Sequence, residues 1–423
     1  MTETPVVTCF LRNRGAVLLL RRSDAVGSYS GAWGAVAGHA DDFERVDAAA
    51  RAEIAEETGL DDAVTLVRAG DPFTVADEDL GTRWVVHPFL FDCDRRDVQP
   101  NEETAEWEWT TPTAIRRRRT VPDLWTSYDR VRPTVETVAA DTDHGAASIS
   151  VRALEVLRDE AALAAEDADW GAVVDVAERL LAARPSMTVV ENRVNRAMTA
   201  AAGAETPTAV EDAARQAIPR ALDADDEAAA LAADHVDGRA VATLSRSGTV
   251  STALTDGDPK AVLVAESRPG GEGVWTAERL ADAVADETDA PEVTLTTDAA
   301  FALELVAEGI GLVLVGADTI LADGAVVNKV GTRMAATAAA AEGIPCYVVA
   351  ASDKIAADHE VVVEERDPAE VYDGDAALSV ANPTFDVTPA DRIDGVLTER
   401  GELGPDDVAA IADDHQQFSA WRE

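Results

Sequence analysis

After His235 the chain alternates short apolar runs with alanine-rich stretches, and this pattern narrows its possible folds more than any other feature. Val241–Leu244, Ala261–Ala265, Val293–Thr296, Ile310–Val315 and Tyr347–Ala350 read as strands, with helices between them. Helical crossovers join parallel strands, so residues 234–423 are expected to form a Rossmann-like parallel sheet. Residues 146–232 carry Ala, Leu, Glu and Arg at helical spacing with few strand signals. They predict a helical subdomain over 136–233.

The front of the chain reads differently. Residues 6–20 alternate and then run apolar into Val17–Leu20, which suggests strands. A Gly-rich turn follows, then a helix from about Asp47 to Thr58 stopped by Gly59, and Val85–Phe91 is a further strand. The stretch from Asp141 to Gly145 looks like a boundary, and residues 1–135 are taken as a separate domain. No internal repeat is visible. A length of 423 residues with 47% hydrophobic content supports two to three packed domains.

Charge decides the class of partner. The chain has 80 acidic and 36 basic residues, a net charge of −44, and its lysines are Lys260, Lys329 and Lys354. An acidic surface almost without lysine resembles proteins adapted to molar salt, where hydrated carboxylates keep the chain dissolved. Such a surface repels nucleic acid and anionic membranes. The run Arg116 to Arg119 is read as a solvated helix face. No apolar run approaches the roughly 20 residues of a membrane span. The start MTETPVVTCF has no basic segment ahead of its apolar stretch. Cys9, Cys93 and Cys346 are isolated, which suits a reducing cytoplasm.

The helix around Ile54 carries the first chemical signal. Glu53, Glu56 and Glu57 fall at i, i+3 and i+4, so one face holds three carboxylates. Like charges at that spacing destabilise a bare helix by a few tenths of a kcal/mol per pair. A hard divalent cation such as Mg²⁺ or Mn²⁺ would offset the repulsion and clamp a pyrophosphate. The string Gly38, Glu44, Ala52-Glu53-Ile54-Ala55-Glu56-Glu57-Thr58-Gly59-Leu60, with Gly31-Ala-Trp33-Gly34 upstream, resembles the Nudix box. The resemblance implies an α/β/α sandwich that hydrolyses a nucleoside-diphosphate-type substrate. It makes Glu53, Glu56 and Glu57 catalytic metal ligands, with Glu44 further out. Glu103, Glu106 or Glu108 is expected to add a carboxylate from a loop. The departure is Ala52, where the family has Arg; Arg51 is about 100° round the helix.

The second signal lies at the carboxyl ends of the later strands, where ligands bind in open parallel sheets. Those ends are Ser245-Arg246-Ser247-Gly248-Thr249, Glu266-Ser267-Arg268-Pro269, Asp298, Gly316-Ala317-Asp318, and Ser352 with Lys354. Together with Asn328-Lys329, Arg184-Pro185-Ser186 and the tail from Asn382 to Pro389, they resemble initiation factor 2B subunits, ribose-1,5-bisphosphate isomerase and methylthioribose-1-phosphate isomerase. The resemblance covers about residues 144–423 and implies at least a dimer. The family's isomerases use a Cys and an Asp. Asp318 matches the Asp, while Ser245 stands at the Cys position and His144 replaces an Arg that contacts phosphate. A serine hydroxyl is far less acidic than a thiol of pKa about 8.5, so isomerase turnover is expected to be weak or absent. Arg184, Ser247, Gly248, Thr249, Arg268, Asn328, Lys329 and Lys354 remain as ligand-binding residues.

The reading is therefore an α/β protein of two parts. A cytoplasmic metal-dependent pyrophosphohydrolase precedes a module that binds a phosphorylated sugar or nucleotide. Two alternatives stand beside it: an active ribose-1,5-bisphosphate isomerase, and a non-enzymatic regulatory sensor of the initiation factor kind.

Overall fold

A computed structural model describes residues 2–26, 28–40, 45–78, 81–285, 290–361 and 364–422. Contacts divide the chain into two compact units, Met1–Thr134 with Arg158–Glu166, and Val135–Leu157 with Asp167–Glu423. Among the described residues no helix is long and apolar enough to cross a membrane.

The strands of the first unit are β1 (Thr2–Asn13), β2 (Ala16–Arg22), β3 (Trp33–Gly34), β4 (Val36–His39), β5 (Val64–Ala69), β6 (Phe73–Asp77), β7 (Thr82–Cys93) and β8 (Thr104–Thr110). Helix α1 (Val46–Thr58) lies between β4 and β5, and α2 (Leu124–Asp129) follows β8. β1 and β7 pair in parallel at the centre of one mixed sheet; β2 and β4 join β1 antiparallel. Strand alternation builds a core on each face. Val7, Cys9 and Leu11 of β1 pack with Ala50 and Ile54 of α1. Phe10 points the other way, into Leu124 and Tyr128 of α2. Helix α1 buries Ala50, Ile54 and Glu57, spaced i, i+4 and i+7, so the third position of its apolar stripe is a carboxylate. It ends at Gly59, which takes the left-handed conformation (φ 66°) and returns its N–H to Ala55.

Of Arg116 to Arg119, read as one solvated helix face, Arg117 and Arg119 are exposed but Arg116 and Arg118 are not free in solvent. A short 3₁₀ turn ends at Arg117. Arg116 pairs with Glu166 and covers the Trp125 ring; Arg118 pairs with Glu108 at 2.7 Å and covers Trp33. Flat guanidinium groups on indole faces gain both packing and cation–π attraction, which free solvation would forgo.

The second unit starts with helices α3 (Val135–Ala140), α4 (Ala146–Ala164, counted with the first unit from Arg158), α5 (Trp170–Ala183), α6 (Thr188–Ala202) and α7 (Pro207–Val236). The alternating part follows as β9 (Ala240–Leu244), α8 (Gly248–Asp256), β10 (Ala261–Ala265), α9 (Glu272–Ala283), β11 (Glu292–Thr296), α10 (Phe301–Ala307), β12 (Leu312–Val315), β13 (Thr319–Ile320) and β14 (Val326–Lys329). It closes with α11 (Thr332–Glu342), β15 (Cys346–Val349), β16 (Phe385–Thr388), β17 (Gly395–Thr398), β18 (Gly401–Leu403) and α12 (Pro405–Gln416).

The seven-stranded sheet runs β11-β10-β9-β12-β15-β17-β18 and is parallel except at β17–β18. The order reverses at β9: β10 and β11 extend one side, and the chain then returns to place β12 on the other. Such a switch point opens a crevice at the strand ends. One face packs Ala228, Ala232 and Val236 of α7, with α8, against Val241, Val264 and Leu314. The other packs α10 and α11 against Ala242, Leu263 and Val313. The predicted strands match within a residue or two. Ile310 instead closes the turn after α10, its N–H bonding the Leu305 carbonyl. The small antiparallel sheet β13-β14-β16 and the outer strands β17 and β18 were not foreseen.

Candidate active sites

In the first unit the carboxylates meet in a cavity of about 400 Å³, lined by Arg22, Gly38, Glu53, Glu56, Glu57 and Glu103 among others. The strand before α1 is cut to fit. A Cβ on Gly38 would lie 1.9 Å from the carboxyl carbon of Glu53, so only glycine leaves room for that side chain. Glu57 is 6% exposed and accepts the Ala37 N–H at 3.3 Å. Burial first, and then Glu53 and Glu103, push its carboxyl up to about 8, against that hydrogen bond and Arg22. Glu53 is raised by burial, Glu56 and Glu103.

The structure separates the three loop candidates. Glu103 lines the cavity, whereas Glu106 pairs with Arg21 at 3.0 Å and Glu108 with Arg118. Glu44 lies outside the described residues. Arg51 does not turn toward the glutamates: its guanidinium sits 5.9 Å from the centroid of Phe91. Arg22 of β2 brings a cation to the same cavity, and the Leu-rich run ahead of it carried no sign of that role. The remaining wall includes Tyr29, His39 and Trp84, with the His39 and Trp84 rings 5.7 Å apart. Tyr29 donates to Asp77. Nothing in the spacing of these residues had joined them.

Among the described residues no three His, Cys, Asp or Glu side chains converge tightly enough to hold a metal ion. Fit to a metal is therefore judged by the donors. They are all carboxylate oxygens, gathered in one cavity, and Glu53 and Glu57 carry raised pKa values that partly reflect mutual repulsion. That is the donor type and the electrostatic state a hard divalent cation relieves.

In the second unit the residues gather at the switch point between β9 and β12. Ser245, at the end of β9, takes a left-handed backbone (φ 63°), its N–H bonding Ser267 Oγ at 2.7 Å and its carbonyl accepting from Thr276 at 2.7 Å. Ser247 caps α8, accepting the Val250 N–H at 3.3 Å, so Gly248 and Thr249 form the helix's first turn. Across the crevice a Cβ on Gly316 would lie 2.7 Å from Ser247 Oγ. Ser267 and Arg268 donate their N–H groups to the Asp298 carboxylate at 2.9 and 2.7 Å.

Asp318 follows β12, next to Ala317, whose carbonyl accepts from Lys354. Burial pushes its carboxyl up, opposed by Lys354 and Lys329 and assisted by Glu364. The Lys354 ammonium is buried, donates to the Ala317 carbonyl at 2.5 Å, and is pushed down by that burial against the pull of Asp318 and Asp225. The turn carrying Lys354 is anchored by its neighbour. Burial alone would raise Asp353, but Arg193 at 3.0 Å and Arg196 at 2.5 Å hold it down at about 2. Asn192 donates to the Asp353 and Ile355 carbonyls at 2.8 Å.

The other expected ligand residues are engaged with groups of the protein itself. Arg184 spends its guanidinium on the Val138 and Asp141 carbonyls, and its neighbour Ser186 is the one that reaches Glu364. Arg268 is exposed and pairs with Glu266 at 3.0 Å. His144 binds Asp141. Asn328 is buried and donates to Thr332 at 2.9 Å. Lys329 is buried and bonded to Glu272 at 2.6 Å, which also takes Arg366 at 3.0 Å. Glu272, Glu364 and Arg366 were not foreseen. Glu272 lies three residues past the end of a recognised string, Glu266–Pro269, and no pattern surrounds Arg366.

A family profile described as the initiation factor 2 subunit family matches residues 142–405. This chain belongs to that family. A profile described as the NUDIX domain matches residues 2–131, so a Nudix domain precedes the family region. The ribose 1,5-bisphosphate isomerase of Haloferax volcanii is 32% identical over 307 residues, covering 67% of this chain and 93% of that protein. The protein of the same name from Archaeoglobus fulgidus is 32% identical over 292 residues, covering 66% and 91%. The translation initiation factor eIF-2B of Pyrococcus horikoshii OT3 superposes with a TM-score of 0.55 at 26% identity, covering 64% of this chain and 94% of that one. The expectation that isomerase turnover in the family region is weak or absent, drawn from Ser245 and His144, gains no support from relatives named as isomerases at this level of identity.

Proposed function

We propose that the Nudix domain is a divalent-metal-dependent hydrolase of diphosphate linkages in a nucleoside-diphosphate-type substrate. One observation carries this: Glu53, Glu56, Glu57 and Glu103 line a single cavity whose Gly38 wall is shaped to the Glu53 carboxylate. Mg²⁺ or Mn²⁺ held by Glu53, Glu56 and Glu57 would supply Lewis acidity toward the diphosphate oxygens. Arg22 offers the diphosphate a guanidinium within the same walls. A panel of nucleoside diphosphate compounds, assayed at high salt with Mg²⁺ and with chelator, tests the reading. Turnover of none of them with Mg²⁺ overturns it.

The family region is read as binding a phosphorylated sugar or nucleotide at the β9–β12 switch point. A second reading, isomerisation of a ribose-1,5-bisphosphate-type sugar, is favoured by Asp318. A carboxyl whose pKa is raised inside a site is suited to give and take a proton between neighbouring carbons. Conversion of ribose 1,5-bisphosphate that disappears in Asp318→Asn supports this second reading; its absence in the wild type returns the region to binding alone.

A further inference from the structure

The cleft of the family region contains a carboxylate in the place an anionic ligand would want. Lys329 ends β14 and is 5% exposed. A buried ammonium needs a partner, and its partner here is Glu272 Oε1 at 2.6 Å. The same oxygen takes Arg366 at 3.0 Å, while Glu272 Oε2 is buried and meets no hydrogen-bond partner among the described residues. Two cations thus converge on one oxygen, and half of the carboxylate is left unserved. A phosphoryl group, with three oxygens, would fill the seat more completely.

Local backbone makes the arrangement possible. Glu272 is the first residue of α9, after Gly270 and Gly271. A Cβ on Gly270 would lie 2.5 Å from a Glu272 carboxylate oxygen, and Gly271 adopts φ 74°. The side chain therefore stands at the very start of α9, directly after a two-glycine turn. The cations are held independently of it. Arg366 grips Glu370 with two hydrogen bonds, at 2.7 and 3.1 Å, and Lys329 lies in the β14 ladder opposite Phe385. The Arg366 guanidinium thus has a second carboxylate to hold it, and the Lys329 backbone is fixed by its strand, whether or not Glu272 is in place.

We propose that the Glu272 carboxylate is a built-in stand-in for an anionic group of the ligand, seated on Lys329 and Arg366, and that a phosphoryl group enters this seat only by displacing it. This rests on the reading that the family region binds a phosphorylated small molecule. It adds Arg366 as a phosphate contact and makes Glu272 an internal competitor that sets the affinity. Two anions cannot share the seat, so the ligand must outbid a carboxylate already held at ion-pair distance.

Calorimetry of the full chain, at matched ionic strength, tests the arrangement with ribose 1,5-bisphosphate and with inorganic phosphate as probes. Glu272→Gln keeps the side chain's size and removes its charge; Glu272→Ala removes the competitor altogether. Both are expected to bind each probe at least tenfold more tightly than the wild type. The double variant Glu272→Gln with Arg366→Ala is expected to lose that gain. Wild-type binding with unchanged affinity in both Glu272 variants overturns the gate and leaves the binding site standing. No binding by any of these chains removes the gate and the site together.

Discussion

The Nudix cavity and the family-region cleft treat charge in opposite ways. In the cavity, Glu53 and Glu57 are buried or half-buried beside Glu56 and Glu103, and the cation that tempers Glu57 is Arg22. In the cleft the buried charges are engaged from within: Lys329 by Glu272, Lys354 by the Ala317 carbonyl and Asp318, Asp353 by Arg193 and Arg196. Repulsion left in place favours an incoming ion of the other sign. Charges already satisfied raise the requirement on a ligand, which must better the internal contact before it gains anything. On the readings proposed above, the first site would welcome a cation and the second would take an anion only in place of an internal contact.

The largest test of this contrast is Glu57→Gln. Hydrolysis is expected to fall by about 10²- to 10⁴-fold, the range associated with loss of an essential proton-handling or metal-binding group. The metal-free chain moves the other way. The folded carboxyl titrates near 8, above its ordinary value, so the stability it contributes is present at low pH and is lost as pH rises toward 8. Metal-free thermal melts at pH 5 and pH 8 should therefore show Glu57→Gln gaining stability over the wild type at pH 8 and little at pH 5. A variant equally destabilised at both would break the account of Glu57 as a strained, buried charge.

Next in size is Gly38→Ala. The added Cβ collides with the Glu53 carboxylate at 1.9 Å and must displace it. Misplacing a catalytic group by about 1 Å costs roughly 100-fold in rate. Steady-state assays are expected to show that loss with the melting temperature little changed, because the clash is relieved by moving one partly exposed side chain. Full activity would mean that Glu53 works from a different position.

On the other side of the comparison, Ser245→Cys supplies a thiol of pKa about 8.5 beside Asp318's strand. It is expected to raise turnover of ribose 1,5-bisphosphate by about tenfold, since thiolate character governs such chemistry. No change would show that this position takes no chemical part. The smallest effect is expected from Ala52→Arg. Ala52 is exposed, and Arg51 is committed to Phe91. A new exposed ion pair to the glutamates is worth about 0.2–1 kcal/mol, which makes the gain in hydrolysis no more than about fivefold.

Several elements were legible because their signals are local. Strands β9, β10, β11, β12 and β15, α1 and its Gly59 stop follow from periodicity and turn chemistry within a few residues. The three carboxylates of α1 follow from helical geometry alone. Other features depend on contacts far apart in the chain. Arg116 and Arg118 look like part of a solvated stripe until Trp33, Trp125, Glu108 and Glu166 come near. Arg184 and Arg268 carry no sign in the sequence of the internal partners they take, backbone carbonyls for one and Glu266 for the other. The choice of Glu103 over Glu106 and Glu108 rests on strand pairing, since Glu106 lies opposite Arg21 in the β2–β8 ladder.

The sequence by itself determined that a carboxylate-bearing helix and an alternating α/β region exist, because side-chain periodicity and glycine placement act over one or two turns of chain. Tertiary structure alone decided the state of their charges. Burial raised Glu57 because α1 turns that residue into its apolar stripe against the sheet. The switch at β9 set Ser245 and Ser247 across from Gly316, and the turn at Gly270 and Gly271 delivered Glu272 to Lys329. A side chain's charge is written in the sequence, but its free energy depends on which dielectric and which partners surround it, and those are assembled only when distant segments pack.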